Sequence, residues 1–191
     1  MRFAEYLSSF TSAEIEAGLS AGDFPAIVTR PIDTSPVHAR ALLALDLGNY
    51  TGYAVRRRDG TIIHGTENFS PRKSWTPGQR WFRYRSWLSA LIEREQIHVV
   101  TFERVVFGHS SASASDAYGG FKALTEMVAD AHHCDLSSVA VPTIKKHWTG
   151  SGRAKKPDMI AEARRRGFRP DSDNAADALA ILHWAIDQEG E

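Results

Sequence analysis

Cysteine is nearly missing from this chain. Cys134 is the only one in 191 residues, which excludes a disulfide framework and a cysteine-rich zinc site. Long apolar runs are missing too: no stretch is long enough to span a bilayer, and the opening residues MRFAEYLSSFTSAEIEA are too polar for a signal peptide. These absences predict work in a reducing cytoplasm, with no membrane partner. Net charge is also lacking, because 23 Lys and Arg balance 23 Asp and Glu. Bulk charge therefore gives no argument for a nucleic-acid partner. What remains is ordinary soluble composition, 42% hydrophobic and 24% charged, in a chain long enough for one domain with appendages.

The distribution of charge says more than its sum. Residues 145–169 hold nine Lys or Arg against Asp158 and Glu162, whereas residues 170–191 hold six Asp or Glu and no Lys or Arg. A basic segment beside an acidic one suits a polyanion held next to a metal-binding carboxylate cluster. The plainer reading is two adjoining helices that neutralise each other.

Along the chain, residues 1–40 read as an appendage, and residues 41–191 as the domain. Thr11 and Glu14 fit a capping box that starts a short helix, and Pro25, Pro31 and Pro36 break up a linker running through Arg40. The stretch ALLALDLGNYTGYAV, residues 41–55, then predicts two strands, about 42–47 and 52–58, with Gly48 and Gly52 relaxing the backbone at the reversal. Asp59-Gly60 is a hairpin signal leading into a third strand over 61–68. Helical spacing of Trp81, Tyr84, Leu88, Leu91 and Ile92 predicts an amphipathic helix over 79–95, with its aromatics in the core. A strand over 97–102, a Ser-rich mobile stretch over 107–115, a helix over 116–133 and a short strand at 139–141 follow. Pro142 suits the first turn of a helix. Helices are predicted over 157–166 and over 174–188, the last apolar almost all round and hence buried. The resulting order, βββ-α-β-α-β-α-α, is an α/β chain with a mixed sheet covered by helices.

Three carboxylates interrupt or abut apolar elements: Asp46 in the first strand, Glu103 after the fourth, and Asp177 within DSDNAADALA. Asp is a poor strand residue, and a carboxylate entering an apolar element needs a partner. Asp173 and Asn174 precede Asp177 by four and three residues, hence lie near it on the helix. Carboxylates gathered at one sheet edge repel unless a cation joins them, and hard oxygen ligands favour Mg²⁺, with Mn²⁺ substituting, over Zn²⁺. Two such ions can activate a water and stabilise the leaving oxygen of a phosphodiester. The basic half is IKKHWTGSGRAKKPDMIAEARRRG: Lys145, Lys146, Arg153, Lys155 and Lys156 surround Gly150 and Gly152. Glycines there admit a phosphate backbone, the cations supply salt-sensitive attraction, and a lysine near the metals can stabilise charge on the transferring phosphoryl group. Arg164–Arg166 reads either as DNA contact or as a helix end favoured by the dipole, and Arg56–Arg58 is equally open.

In this order LALDLGNYTGYAV, VVTFERVVF, VPTIKKHWTGSGRAKKPDM and DNAADALAILHWA resemble the RuvC family of Holliday-junction resolvases, within the RNase H-like superfamily, over roughly residues 42–187. The resemblance implies an RNase H-like fold with a mixed five-stranded sheet, three antiparallel strands and then parallel ones, flanked by helices. It places Asp46, Glu103 and Asp177 at metal-binding positions and Lys156 in the catalytic set, with Lys145 at the family's other basic position. Gly150, Gly152 and Ala154 match its small residues, and Phe107 falls near an aromatic that inserts into the junction. One departure stands out: where the family has a fourth acidic or His ligand, this chain has Asn174, with Asp173 one residue earlier. The extension of about 40 residues is a second departure. The implied activity is Mg²⁺-dependent hydrolysis of a four-way DNA junction, leaving 5′-phosphate and 3′-hydroxyl ends. It implies a homodimer in a bacterial cytoplasm, of cellular or phage origin. The helix over 116–133 offers Phe121, Leu124 and Val128 as dimer surface or as core.

Other readings stay beside this one. DLGNYTG also resembles the phosphate-binding hairpin of the sugar kinase and actin superfamily, although those proteins repeat the fold in two lobes and this chain has no second DxG hairpin. A junction-binding module without catalysis, and a nuclease of the same fold acting on other branched DNA or on RNA, are the remaining alternatives.

Overall fold

The computed structural model describes residues 40–105 and 112–189. The predicted helix start at Thr11 and Glu14, the linker before Arg40, and Phe107 lie outside them. Arg40 itself does not behave as linker. Its guanidinium pairs with Asp135 and, at 3.4 Å, with Glu189, and its carbonyl accepts a 2.8 Å hydrogen bond from Arg56.

One five-stranded sheet organises the chain, in the order β3-β2-β1-β4-β5. At its centre β1 (Ala41–Asp46) pairs antiparallel with β2 (Tyr50–Arg56), which pairs antiparallel with β3 (Ile62–Asn68). On the other side β1 runs parallel to β4 (Ile97–Arg104), and β4 to β5 (Asp135–Ala140). The β2–β3 reversal uses Gly60 at φ 84°, and the Asp59 carboxylate accepts the Thr61 N–H at 2.9 Å, as the Asp-Gly pair predicts.

Side chains alternate across the sheet, and helices cover both faces. Leu43, Leu45, Val55 and Val100 pack with Tyr84, Leu88 and Leu91 of α1 (Gln79–Glu95) and with Phe121 and Val128 of α2 (Ala112–Ala131). Tyr84 is therefore core, with Trp81 packed against that core, whereas Phe82 of the same helix is exposed. The Phe121, Leu124 and Val128 stripe belongs to the same core and is not a free dimer face. On the opposite face Leu42, Ala44, Ala54 and Val139 meet α3 (Val141–Thr149), α4 (Lys156–Arg165) and α5 (Asp173–Glu189). Helix α5 is the buried one. Ala175, Ala176, Ala178, Leu179, Ala180, Ile181 and Leu182 are all fully enclosed.

Several boundaries move. The helix that Pro142 is predicted to open is present and separate from α4, so three helices close the chain where the predicted order counts two. β2 starts two residues earlier than predicted, because residues 47–49 suffice for the reversal. Gly48 does not need a left-handed φ there. β5 starts at Asp135, an edge strand whose Asp135, Leu136 and Ser138 are exposed and carry no apolar alternation. Residues 112–115, predicted as mobile, are the first turn of α2.

Candidate active site

The end of the sheet at the C-terminus of β1 is built to receive the start of α5. Asp46, Gly52 and Thr66 form one rank across three strands. Thr66 and Ser172 share a hydroxyl–hydroxyl hydrogen bond, and Ser172 Oγ accepts the Ala175 N–H at 3.0 Å, capping the helix. At Gly52 the missing side chain is essential, because a Cβ there would stand 2.0 Å from the Asn174 carbonyl oxygen. Gly52 therefore serves close approach of two backbones rather than the turn that sequence predicts. On the neighbouring strand, Tyr118 of α2 fixes the end of β4. Its hydroxyl donates to the Glu103 carbonyl at 2.8 Å and accepts the Val105 N–H at 3.2 Å.

These elements leave a cleft of about 240 Å³ lined by Asp46, Glu103, Asn174 and Asp177, with Lys145 and Lys156 beside them and Val141, Ile144 and Met159 as its apolar wall. Loss of solvent pushes the Asp46 carboxyl well above its ordinary range, and Glu103, Asp177 and Asp173 push it further while Lys156 opposes them. Glu103 is raised to about 7, first by burial and then by Asp177, against Lys145. Burial likewise raises Asp177 to about 6, with Lys145 opposing and Asp173 adding to it. Three acids driven toward protonation at one sheet end are poised for a cation.

Asp173 and Asn174 separate here. Asp173 is not part of the cleft lining and forms an ion pair with Lys156, whose ammonium holds that carboxyl below its usual range. Asn174 lines the cleft together with Asp177. As donors, Asp46, Glu103, Asp177 and the Asn174 amide oxygen are all hard oxygens, which suits Mg²⁺ or Mn²⁺. Among the described residues, no group of three or more His, Cys, Asp or Glu side chains stands arranged as a ready metal cage. The acids share the cleft without converging on one point.

Other predicted residues fall less close. Lys146 is exposed on α3 and outside the cleft lining. Arg153 and Lys155 line a separate hollow with Thr149, Asp158 and Glu162. Gly150 ends α3 at φ 82° with open space around its Cα, whereas a Cβ on Gly152 would crowd the Pro142 carbonyl at 3.2 Å. Arg165 and Arg166 are tied to Glu162. Arg57 pairs with Glu95 at the far end of the sheet from Asp46, which removes the hairpin tip from this site. The cleft's Val141, Ile144 and Met159, and the positioning role of Tyr118, had no signal beyond ordinary core residues.

Among the described residues no helix is long and apolar enough to cross a membrane. In sequence the chain matches no protein-family model and no curated protein. In structure it is similar to Thermus thermophilus RuvC in complex with a Holliday junction substrate, with a TM-score of 0.68 at 18% identity over 79% of this chain and 96% of that one. A second T. thermophilus RuvC structure gives 0.64 at 19% identity, over 78% of this chain and 96% of that chain. The yeast mitochondrial Holliday junction resolvase Ydc2 gives 0.58 at 14%, over 86% of this chain and 82% of that one. With its mixed sheet, three antiparallel strands followed by two parallel ones between two helical layers, the chain has the RuvC-like, RNase H-like fold.

Proposed function

We propose that this protein is a metal-dependent endonuclease that resolves four-way or other branched DNA by hydrolysis, leaving 5′-phosphate ends. The observation that carries the reading is the single cleft where Asp46, Glu103 and Asp177, from β1, β4 and α5, meet Lys145 and Lys156. The fold's neighbours, a RuvC bound to a Holliday junction and a mitochondrial junction resolvase, support branched DNA as the substrate class.

Asp46, Glu103 and Asp177, with the Asn174 amide oxygen as a neutral fourth donor, would hold Mg²⁺, or Mn²⁺ in its place. Bound there, the metal would activate a water and neutralise charge on the phosphate. The chain's own residues do the rest. Lys145 and Lys156 hold the scissile phosphate by charge and oppose the repulsion between it and the acids. Lys156 is kept at the cleft mouth by Asp173, which acts as a positioning residue. Val141, Ile144 and Met159 give the cleft a dry wall that strengthens these interactions. Arg153, Lys155 and Lys146 lie farther out and contact the backbone of the DNA arms, and Phe107 serves as the aromatic that inserts into the junction. Two copies of the chain cut symmetrically, matching the two-fold symmetry of a junction.

A second reading is favoured by one observation: the cleft carries Asn174 where a charged ligand would bind more tightly, and the charged Asp173 is engaged by Lys156. On that reading the protein binds junctions without cutting them. Nicking of a labelled four-way junction in Mg²⁺ separates the two. The nuclease reading expects cleavage that Asp46→Asn and Glu103→Gln abolish while junction binding persists. Binding without cleavage in both Mg²⁺ and Mn²⁺ establishes the module instead.

A further inference from the structure

Between Glu67 and Glu93 the chain has no acidic residue and five basic ones: Arg72, Lys73, Arg80, Arg83 and Arg85. Elsewhere on this domain cations are commonly engaged, as Arg40, Arg57, Arg94, Lys122, Lys156, Arg165 and Arg166 each meet a carboxylate. None of these five does so among the described residues. Three of them, Arg72, Arg80 and Arg83, are held by aromatic rings instead. The Arg72 and Arg83 guanidinium carbons stand 5.1 and 5.0 Å from the Trp75 ring centre, and that of Arg80 stands 3.9 Å from the Trp81 ring. A ring orders a guanidinium without cancelling its charge, so the cost of fixing these side chains is met before any ligand arrives.

The place of this cluster follows from Arg80. Its guanidinium donates to Asn49 Oδ1 at 3.1 Å, and Asn49 lies in the reversal directly after Asp46. The start of α1 and its preceding loop therefore stand at the same end of the sheet as the cleft, but on the opposite face from Lys145 of α3 and Lys156 of α4. Uncompensated like charges on one face repel, and a row of phosphates relieves that while releasing counterions. The planar fork of Arg suits phosphate oxygens in particular.

We infer that Arg72 and Arg83, ordered around Trp75, and the adjacent Lys73 form a second surface that holds the phosphate backbone of a DNA duplex arm, across the sheet edge from Lys145 and Lys156. The choice of DNA rests on the nuclease reading; the unpaired charge does not. The test is junction binding by the full chain in Ca²⁺, measured by fluorescence anisotropy over a salt series, for wild type and for Arg72→Ala/Lys73→Ala/Arg83→Ala. The triple variant should lose about tenfold or more in affinity near 100 mM salt, and its plot of log K against log salt should flatten by roughly 2–3, about 0.9 per lost contact. Its circular dichroism should match wild type, and Arg72→Lys/Arg83→Lys should keep the wild-type slope. An unchanged slope and affinity in the triple variant overturns the surface. So does a lysine variant as weak as the alanine one, which would assign the loss to the shape of the Trp75 loop. If wild type binds with the expected slopes but never nicks, the nuclease reading fails alone; if it nicks and the slopes do not differ, only the surface fails.

Discussion

Gly52 and Asn174 touch backbone to backbone, with room for no side chain at residue 52, since a Cβ there would lie 2.0 Å from the Asn174 carbonyl oxygen and 2.4 Å from its carbonyl carbon. That contact sets where α5 begins relative to β1, and therefore how Asp177 meets Asp46. Gly52→Ala must displace either the sheet or the helix. We expect a loss of about 3 kcal/mol in denaturant unfolding, at the upper end of overpacking costs, together with loss of junction cleavage. Unchanged stability would mean that the two backbones do not meet.

The three cleft acids make stability depend on pH in an unusual direction. Glu103 and Asp177 have folded-state values raised to about 7 and about 6, above those of the unfolded chain. The native state then holds more protons than the unfolded state between roughly pH 4 and 7, so the slope of stability against pH is negative there. This contribution is complete below the unfolded values and is lost as pH rises through the folded ones. Metal-free protein should melt at lower temperature at pH 8 than at pH 5.5. Glu103→Gln should flatten the trend, and millimolar Mg²⁺ should restore the melting temperature at pH 8. His183, held to about 4 by burial, pulls the opposite way over the same range, so the deciding comparison is with Glu103→Gln: an unchanged trend in that variant would contradict the shared-cleft electrostatics.

Asn174→Asp adds a charge to the acids already in the cleft. Metal-free protein should lose stability at pH 8, where four acids repel, and the Mg²⁺ concentration for half-maximal cleavage should fall several-fold. Asp173→Asn should leave that concentration unchanged and instead lower the maximal rate, because it frees Lys156 rather than removing a ligand. Its effect on stability should stay under about 1 kcal/mol, since Lys156 is largely solvent-exposed. A large rise in the Mg²⁺ requirement of Asp173→Asn would make Asp173 the fourth ligand.

Tyr118→Phe removes the hydroxyl that bridges the Glu103 carbonyl and the Val105 N–H. A cost of about 1–2 kcal/mol is expected from these lost hydrogen bonds, with cleavage reduced and the Mg²⁺ requirement raised as Glu103 loosens. Thermal unfolding and a metal titration of the rate check both parts.

Much of this architecture was legible in residue order because local chemistry and global fold agree. Asp59-Gly60 specified the hairpin that the positive φ of Gly60 realises, and the apolar stripe from Tyr84 to Ile92 specified α1 and its buried face. The acids stood out as charges inside apolar elements, and they do share one cleft. Legibility failed where position depends on distant contacts. Asp135 and Ser138 form a strand through β4 rather than through any pattern of their own. Asp173 and Asn174 are equivalent along the helix, and what separates them is a contact from Lys156, 17 residues earlier, which pairs with Asp173 while Asn174 lines the cleft. Gly52 reads as a turn residue because nothing local announces that Asn174, 122 residues later, will press on it. The basic run from Arg72 to Arg85 is visible in residue order, but it overlaps the apolar stripe of α1, and charge alone does not say which of these side chains meet a carboxylate in the fold.

The most direct test is the pattern of cutting. Purified full-length protein is incubated with Mg²⁺ and either a labelled four-way junction or a linear duplex of the same sequence, and the product ends are mapped. The account predicts paired symmetric nicks in the junction, 5′-phosphate ends, little cutting of the duplex, and no cutting by Asp46→Asn. Equal rates on junction and linear duplex, or cleavage that persists in Asp46→Asn, would contradict it.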